Sequence, residues 1–416
     1  MQYRNLFTNR NFVFYSIGQV ISQFGDRLAQ MVLVGFIYKI SPGSTVKLAK
    51  LISFTVIPAF FVSPVAGVWV DRWNNKKTMI ICDVIRGCLV LTLSIFVIRG
   101  GMLPIYGVIF LIFTCACFFL PAKFAIVPDI VPQDKLLAAN SVSTIATIIG
   151  GVAGLTIGGV IVEIMDINNA IYLNTIIYFM SAASLSFIIY RPLKEVKREN
   201  LAVLGRELKD AFKSSFLHEL GEGLRYLFRA GKMRFVIYVL FILMSMVGAI
   251  YVVSAVFIQE VLGSMTKDIG LLGLFLCGGL LAGASYYGRK GQGFSRERAI
   301  YLSLMYSGLL VSFFAAALYI SHSFWLGAAT AFFMGASSAP LLISANTIIH
   351  EEISGEMMGR IFSSLGVIMN AGLLLFMFLA SVGAEFAGRM WILFVSGLVF
   401  AGFGLKGLLL KRGRKD

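Results

Sequence analysis

Residues 16–30 read SIGQVISQFGDRLAQ. They lie in an otherwise apolar run, roughly residues 12–38, that is long enough to cross a bilayer as a helix. At about 100° per residue, Ser16, Gln19, Ser22, Gln23, Asp26, Arg27 and Gln30 fall on one face. The other face carries Ile17, Ile21, Leu28, Met31 and Val32, which suit lipid or helix packing. Asp26 sits near the middle of the run, where a charge costs about 2.5–3.5 kcal/mol on insertion scales. It must therefore meet a partner or a watered cavity. Two readings stay open: a structural ion pair, with Arg27 or across helices, or a polar stripe lining a transport pathway.

The rest of the chain is the same kind of material. Of 416 residues, 58% are hydrophobic and 14% charged, with mean hydropathy +0.84; a soluble protein carries about a quarter charged residues. Twelve apolar runs stand at approximate limits 12–38, 49–70, 78–98, 103–122, 137–163, 168–190, 235–258, 268–288, 299–320, 323–344, 359–383 and 386–409. The composition implies an all-α integral membrane protein with twelve transmembrane helices. A long polar segment after the sixth run divides it into a six-helix bundle over 1–190, a cytoplasmic linker over 191–234, and a second six-helix bundle with a basic tail over 235–416. Within the linker, Phe212, Phe216, Leu220, Leu224 and Leu227 recur at helical spacing opposite Lys209, Lys213 and Arg225, the pattern of an amphipathic surface helix.

The net charge of +15 raises the question of nucleic acid. The charges are distributed otherwise: Arg27 and Arg86 lie inside spans, and most of the remaining Lys and Arg fall on one side of the membrane. That asymmetry is a topology signal; it places both termini in the cytoplasm and argues against a nucleic-acid partner. Arg4 and Arg10 precede an apolar segment too long for a signal peptide, so no cleaved leader is expected. The five cysteines all lie in apolar runs and read as reduced packing residues. The three histidines are scattered, and neither a metal site nor a cofactor is expected.

Gly67, Asp71 and Arg72 close the second run, and Lys76 and Lys77 open the third. Asp83 and Arg86 follow as an i, i+3 pair, read either as a structural salt bridge or as part of a gate with Asp71 and Arg72. In the fifth run Gly150, Gly154 and Gly158 form one small-residue ridge, accompanied by Gly151 and Gly159, that would let another helix approach closely. Leu120-Pro121-Ala122-Lys123 ends the fourth run, and Val127-Pro128-Asp129-Ile130-Val131-Pro132 reads as a connection, since prolines end helices.

The Gly-x-x-x-Asp-Arg string followed by basic residues resembles the loop signature of the major facilitator superfamily, with Asn74 where glycine is usual and Asn75 where a basic residue is usual. The segments around 120–141 and 222–229, with Gly25-Asp26 and Leu28, resemble its macrolide-efflux and siderophore-exporter branch of bacterial twelve-span drug antiporters. The glycine ridge is similar to the signature that marks antiporters in the superfamily, with Leu155 in place of a proline. The resemblance implies the major facilitator fold. It also implies that the loop of Gly67, Asp71, Arg72, Lys76 and Lys77 holds a cytoplasmic gate, with a role for Asp71 in it; Gly67 itself permits a close helix contact.

No Gly-x-x-x-x-Gly-Lys-Ser/Thr segment is present, so this chain does not itself drive transport with ATP. An intramembrane aspartyl protease built on Asp26 and Asp83 is disfavoured because Gln23 occupies a position that its motif reserves for glycine. The expected function is therefore not enzymatic. It is proton-coupled export of small amphipathic organic compounds, drug, macrolide or siderophore-like, by alternating access. Asp26 would carry the proton, and Gln19, Gln23, Arg27 and Gln30 would line the cavity. A lysophospholipid or other lipid transporter of the same fold is the alternative. The protein is expected as a monomer in a bacterial-type cytoplasmic (inner) membrane.

Overall fold

The computed structural model describes residues 6–70, 72–99, 102–190, 231–291, 295–352 and 358–412, and among these it is helical without a strand. The first part holds α1 (Arg10–Ile40), α2 (Thr45–Phe61), α3 (Ser63–Val70), α4 (Asn75–Arg99), α5 (Met102–Ala125), α6 (Val127–Ile130), α7 (Leu136–Met165) and α8 (Ile167–Ser186). The second holds α9 (Gly231–Leu262), α10 (Lys267–Lys290), α11 (Arg296–Ser321), α12 (Phe324–Glu352), α13 (Met358–Ala387) and α14 (Arg389–Arg412). The expected linker helix and Asp71 lie outside the described residues.

Ten of these helices are long and apolar enough to cross a bilayer. The protein is a multi-pass membrane protein. Two of the expected runs are absent from those ten. The run over 49–70 is broken at Val62 into α2 and α3; Pro64 has no N–H to continue the ladder there. The run over 168–190 becomes α8, whose Asn168, Asn169 and Asn174 dilute its hydropathy. Proline acts differently in α5, which continues through Pro121 to Ala125. The run expected to end over Leu120-Pro121-Ala122-Lys123 thus continues a little further, because losing one ladder bond is tolerated in a span packed against other helices.

The chain divides into two compact units, Met1–Phe36 with Leu51–Phe216, and Ile37–Lys50 with Leu217–Asp416. In the first unit, α4 packs on α8 and α5, and α3 packs on α5. Phe12, Tyr15, Met79, Phe119, Ile126 and Leu185 form part of its buried core. In the second, α9 pairs with α13, α10 with α12 and α11 with α14. Glycines set several of these distances: a Cβ on Gly404 of α14 would stand 2.6 Å from the Tyr301 carbonyl of α11.

Residues 37–50 belong to the second unit for a local reason. Gly43 turns the chain with φ +78°, a conformation open to glycine. Glu385 then accepts from Ser44 Oγ at 2.9 Å and from the Val46 amide at 3.1 Å, capping the start of α2. Thr45 Oγ1 donates to the Ser381 carbonyl at 2.7 Å. Arg389 donates to the Gly43 carbonyl and pairs with Glu260 at 2.8 Å.

Candidate functional site: a polar cluster in the first unit

The stripe on α1 is the spine of the site. Three elements close on it. The α7 ridge comes first, because it sets how near the helices stand. A Cβ on Gly150 would lie 2.6 Å from the Val20 carbonyl, and one on Gly154 would lie 2.6 Å from the Phe24 carbonyl. At Gly158 the nearest atom is Leu28 Cα at 3.3 Å. The ridge therefore lays α7 backbone-to-backbone on α1, and Gly159 is buried beside it. With Leu155 in place of proline, α7 runs unbroken.

That approach joins a first polar group. Gln19 is wholly buried; its Nε2 donates to the Ser143 carbonyl at 3.1 Å and to Thr147 Oγ1 at 2.6 Å. Ser143 Oγ donates to Gln19 Oε1 at 3.0 Å, and Tyr15 Oη meets the same hydroxyl at 3.0 Å. Lys123 of α5, which the sequence places at a cytoplasmic connection, is instead buried, and its Nζ donates to Thr147 Oγ1 at 2.7 Å. Because α5 does not stop at Pro121, Lys123 stays within the packed helix.

The second polar group holds the charges. Arg86 of α4 is fully buried and shared by two carboxylates: Nη1 reaches Asp26 Oδ1 at 2.8 Å, and Nη2 reaches Asp83 Oδ1 at 2.5 Å. Its guanidinium lies between two rings, 4.6 Å from Phe119 and 5.1 Å from Tyr178, where cation–π attraction replaces part of its lost hydration. Asp26 also accepts from Tyr178 Oη at 2.8 Å and from Gln23 Nε2 at 3.4 Å. Asp83 accepts from Ser22 Oγ at 3.1 Å and from Ser181 Oγ at 2.6 Å. The Asp83 side chain is completely buried, whereas 21% of Asp26 is exposed. Arg86 by itself offsets one of the two carboxylates, and the buried ammonium of Lys123 acts on Asp26 as a second positive charge. In a low-dielectric interior such charges must be held together.

The partner of Asp26 is thus Arg86 across helices. Arg27, its chain neighbour, is exposed and donates from Nη1 to Gln30 Oε1 at 2.8 Å. Asp83 and Arg86, considered above as gate residues, are joined to α1 through Asp26 and Ser22. Tyr178 and Ser181 of α8 do not follow from the sequence reading. Their i, i+3 spacing on one face was the available signal.

At the start of α4, Asn74 acts as the helix cap: its Oδ1 accepts from the Lys77 amide at 3.0 Å. This gives the departure from the family loop a local role. Lys76 Nζ donates to the Ser186 carbonyl at 2.7 Å, and the Arg72 amide donates to the Trp69 carbonyl at 3.0 Å. The close contact that Gly67 permits is not made with any described residue: a Cβ there would meet none of their atoms within 4 Å in this conformation. Among the described residues no group of His, Cys, Asp or Glu could hold a metal ion.

The family model described as the Major Facilitator Superfamily matches residues 15–307. Macrolide efflux protein A of Streptococcus pyogenes is 23% identical over 411 residues, covering 94% of this chain and 95% of that relative. The putative bacilysin exporter BacE of Bacillus subtilis (strain 168) is 26% identical over 353 residues, covering 82% of this chain and 81% of that relative. A crystal structure of a POT family transporter in complex with 5-aminolevulinic acid superposes with a TM-score of 0.72 at 12% identity, over 98% of this chain and 97% of that one. At that identity the likeness is one of fold.

Proposed function

We propose that this chain, which belongs to the Major Facilitator Superfamily, exports amphipathic organic compounds in exchange for protons by alternating access. The single observation that carries the reading is the sharing of buried Arg86 between Asp26 and Asp83. Two carboxylates on one guanidinium have room for one proton between them. Asp26, partly exposed, is where the proton enters and leaves. Asp83 holds the guanidinium from behind.

Hydrogen counting gives the proton a second resting place. Ser181 Oγ has one hydrogen and two acceptors, the Gly18 carbonyl at 2.9 Å and Asp83 Oδ2 at 2.6 Å. When Ser181 donates to Gly18, the contact with Asp83 calls for a proton on the carboxyl. Losing the proton strengthens the hold of Arg86 on both carboxylates and draws α1 and α4 together. Gaining it loosens them. Such a bistable contact is what couples a proton to a conformational change.

The export direction is supported by the two relatives, a macrolide efflux protein and a putative bacilysin exporter, and the fold is that of transporters with many cargoes. In the same reading α2 with α3 forms one broken span and α8 another. That gives twelve spans in two six-helix bundles, with both termini in the cytoplasm of a bacterial-type inner membrane. The test is transport by reconstituted vesicles with and without a pH gradient, using ethidium, dansyl-phenylalanine and lysophosphatidylethanolamine side by side. Gradient-driven movement of an organic cargo is expected. Equal movement without a gradient contradicts proton coupling, and movement of the lysolipid alone favours a lipid transporter.

A further inference from the structure

Arg27 is the one charge of the α1 stripe that the cluster leaves outward. It stands near the middle of α1 (Arg10–Ile40) and is exposed. A cation at that depth is costly unless it meets water or an anion. Its chain neighbour does not serve. Both oxygens of Asp26 are engaged by Arg86, Tyr178 and Gln23. Among the described residues no carboxylate lies within ion-pair distance of Arg27.

The stem of Arg27 rests on the glycine ridge, its Cβ 2.8 Å from where a Cβ on Gly154 would stand. Its Nε lies 3.9 Å from the corresponding position on Gly151, so the absence of a side chain there clears space beside the guanidinium. Gln30 accepts one of the five guanidinium N–H bonds and keeps its own amide N–H groups available. What remains is a planar fork of guanidinium N–H donors, of the kind that pairs with a carboxylate through two bonds. Ile148 and Leu155, three residues before and four after Gly151, share its side of α7 and make that side apolar.

We propose that Arg27, with Gln30, is the anchor for the anionic group of the cargo, and that the cargo class is an amphipathic organic acid. This rests on the transporter reading above and narrows its substrate. The carboxylate binds the fork, and the apolar body lies along α7. Lysine would supply charge without the planar fork, so it should serve only in part.

The test is equilibrium binding to the full-length protein in phosphatidylcholine nanodiscs, read by energy transfer from tryptophan to dansyl-phenylalanine or to its methyl ester. Wild type should bind the acid about tenfold more tightly than the ester, the scale of a charge-assisted bidentate contact. Arg27→Gln should bring the acid down to the ester and leave the ester unchanged, while Arg27→Lys keeps part of the preference. Equal binding of acid and ester by wild type, binding of neither, or a preference that survives Arg27→Gln overturns the proposal. An anionic headgroup has the same chemistry, so the assay is repeated with phosphatidylglycerol in the disc. A retained preference supports a cargo site, and its loss assigns the fork to lipid and overturns the cargo claim. No gradient exists in these discs, so failure of proton coupling leaves this result unaffected, and failure here leaves the coupling test unaffected.

Discussion

Arg86 Nη1 and Asp26 Oδ1 meet 2.8 Å apart across α4 and α1, with the guanidinium wholly buried and the carboxylate partly exposed. This pair is asymmetric. Arg86 has no route to water, so its charge is a fixed part of the core. Asp26 has one, its side chain being 21% exposed.

Removing Arg86 should be far worse than removing the whole charge cluster. Arg86→Met leaves two carboxylates facing each other, and breaking a buried pair costs roughly 3–5 kcal/mol. The triple variant Arg86→Met, Asp26→Asn, Asp83→Asn removes the three ion-paired charges together and should regain most of that loss. Thermal unfolding of the purified proteins compares them. A triple variant as unstable as the single one would mean that packing, and not charge, fixes Arg86.

The glycine ridge should respond unevenly to a methyl group. At Gly154 the new Cβ would meet the Phe24 carbonyl at 2.6 Å, and a helix backbone cannot yield locally. Gly154→Ala should cost about 1–3 kcal/mol, as overpacking does. At Gly158 the nearest atom is 3.3 Å away, so Gly158→Ala should cost under about 1 kcal/mol. Equal losses would remove the backbone contact as the reason for the ridge.

The hydroxyl of Tyr190, beyond the end of α8, donates to Asp129 at 2.7 Å. Burial and the Asp129 carboxylate push its pKa well above the usual tyrosine value. A raised pKa means the bond stabilises fully below the unfolded value, near pH 10, and is lost only as pH rises through the folded one. Tyr190→Phe should therefore lower stability by about 1 kcal/mol. The loss should be the same at pH 6 and pH 8. Denaturation at the two values checks this, and a loss confined to one of them would contradict it.

Glu385 caps α2 from α13, so Glu385→Ala should free the Val46 amide. The expected loss is about 0.3–1 kcal/mol, the range for a carboxylate at a helix N-terminus. Hydrogen exchange at residues 45–48 should accelerate while exchange in α4 and α8 stays unchanged. Unchanged exchange at Val46 would mean the contact is incidental.

The stripe of α1 and the ridge of α7 were legible because each is a periodic pattern within one helix. The pairing of Asp26 with Arg86 was not, because it joins residues 60 apart in the chain and depends on how α4 rolls against α1. Lys123 was hidden by a rule that usually holds, that helices stop near proline; here α5 carries the lysine into the packed interior. At Gly67 the motif admits a close contact, and no described residue takes it up in this conformation. The helices of the first half were read to within a few residues, except where Pro64 divides α2 from α3. That break depends on local backbone geometry, which hydropathy does not report.

The most direct test of the central claim is gradient-driven transport by vesicles carrying wild type or Asp26→Asn, with internal pH and cargo followed on one preparation. Asparagine keeps the volume of Asp26 and its acceptor toward Tyr178 but cannot carry a proton. The account predicts that wild type couples cargo movement to proton flow, and that Asp26→Asn stays folded while gradient-driven transport falls at least about tenfold, the scale of losing a group needed in the step. An Asp26→Asn protein with unchanged transport and unchanged dependence on the gradient would contradict it.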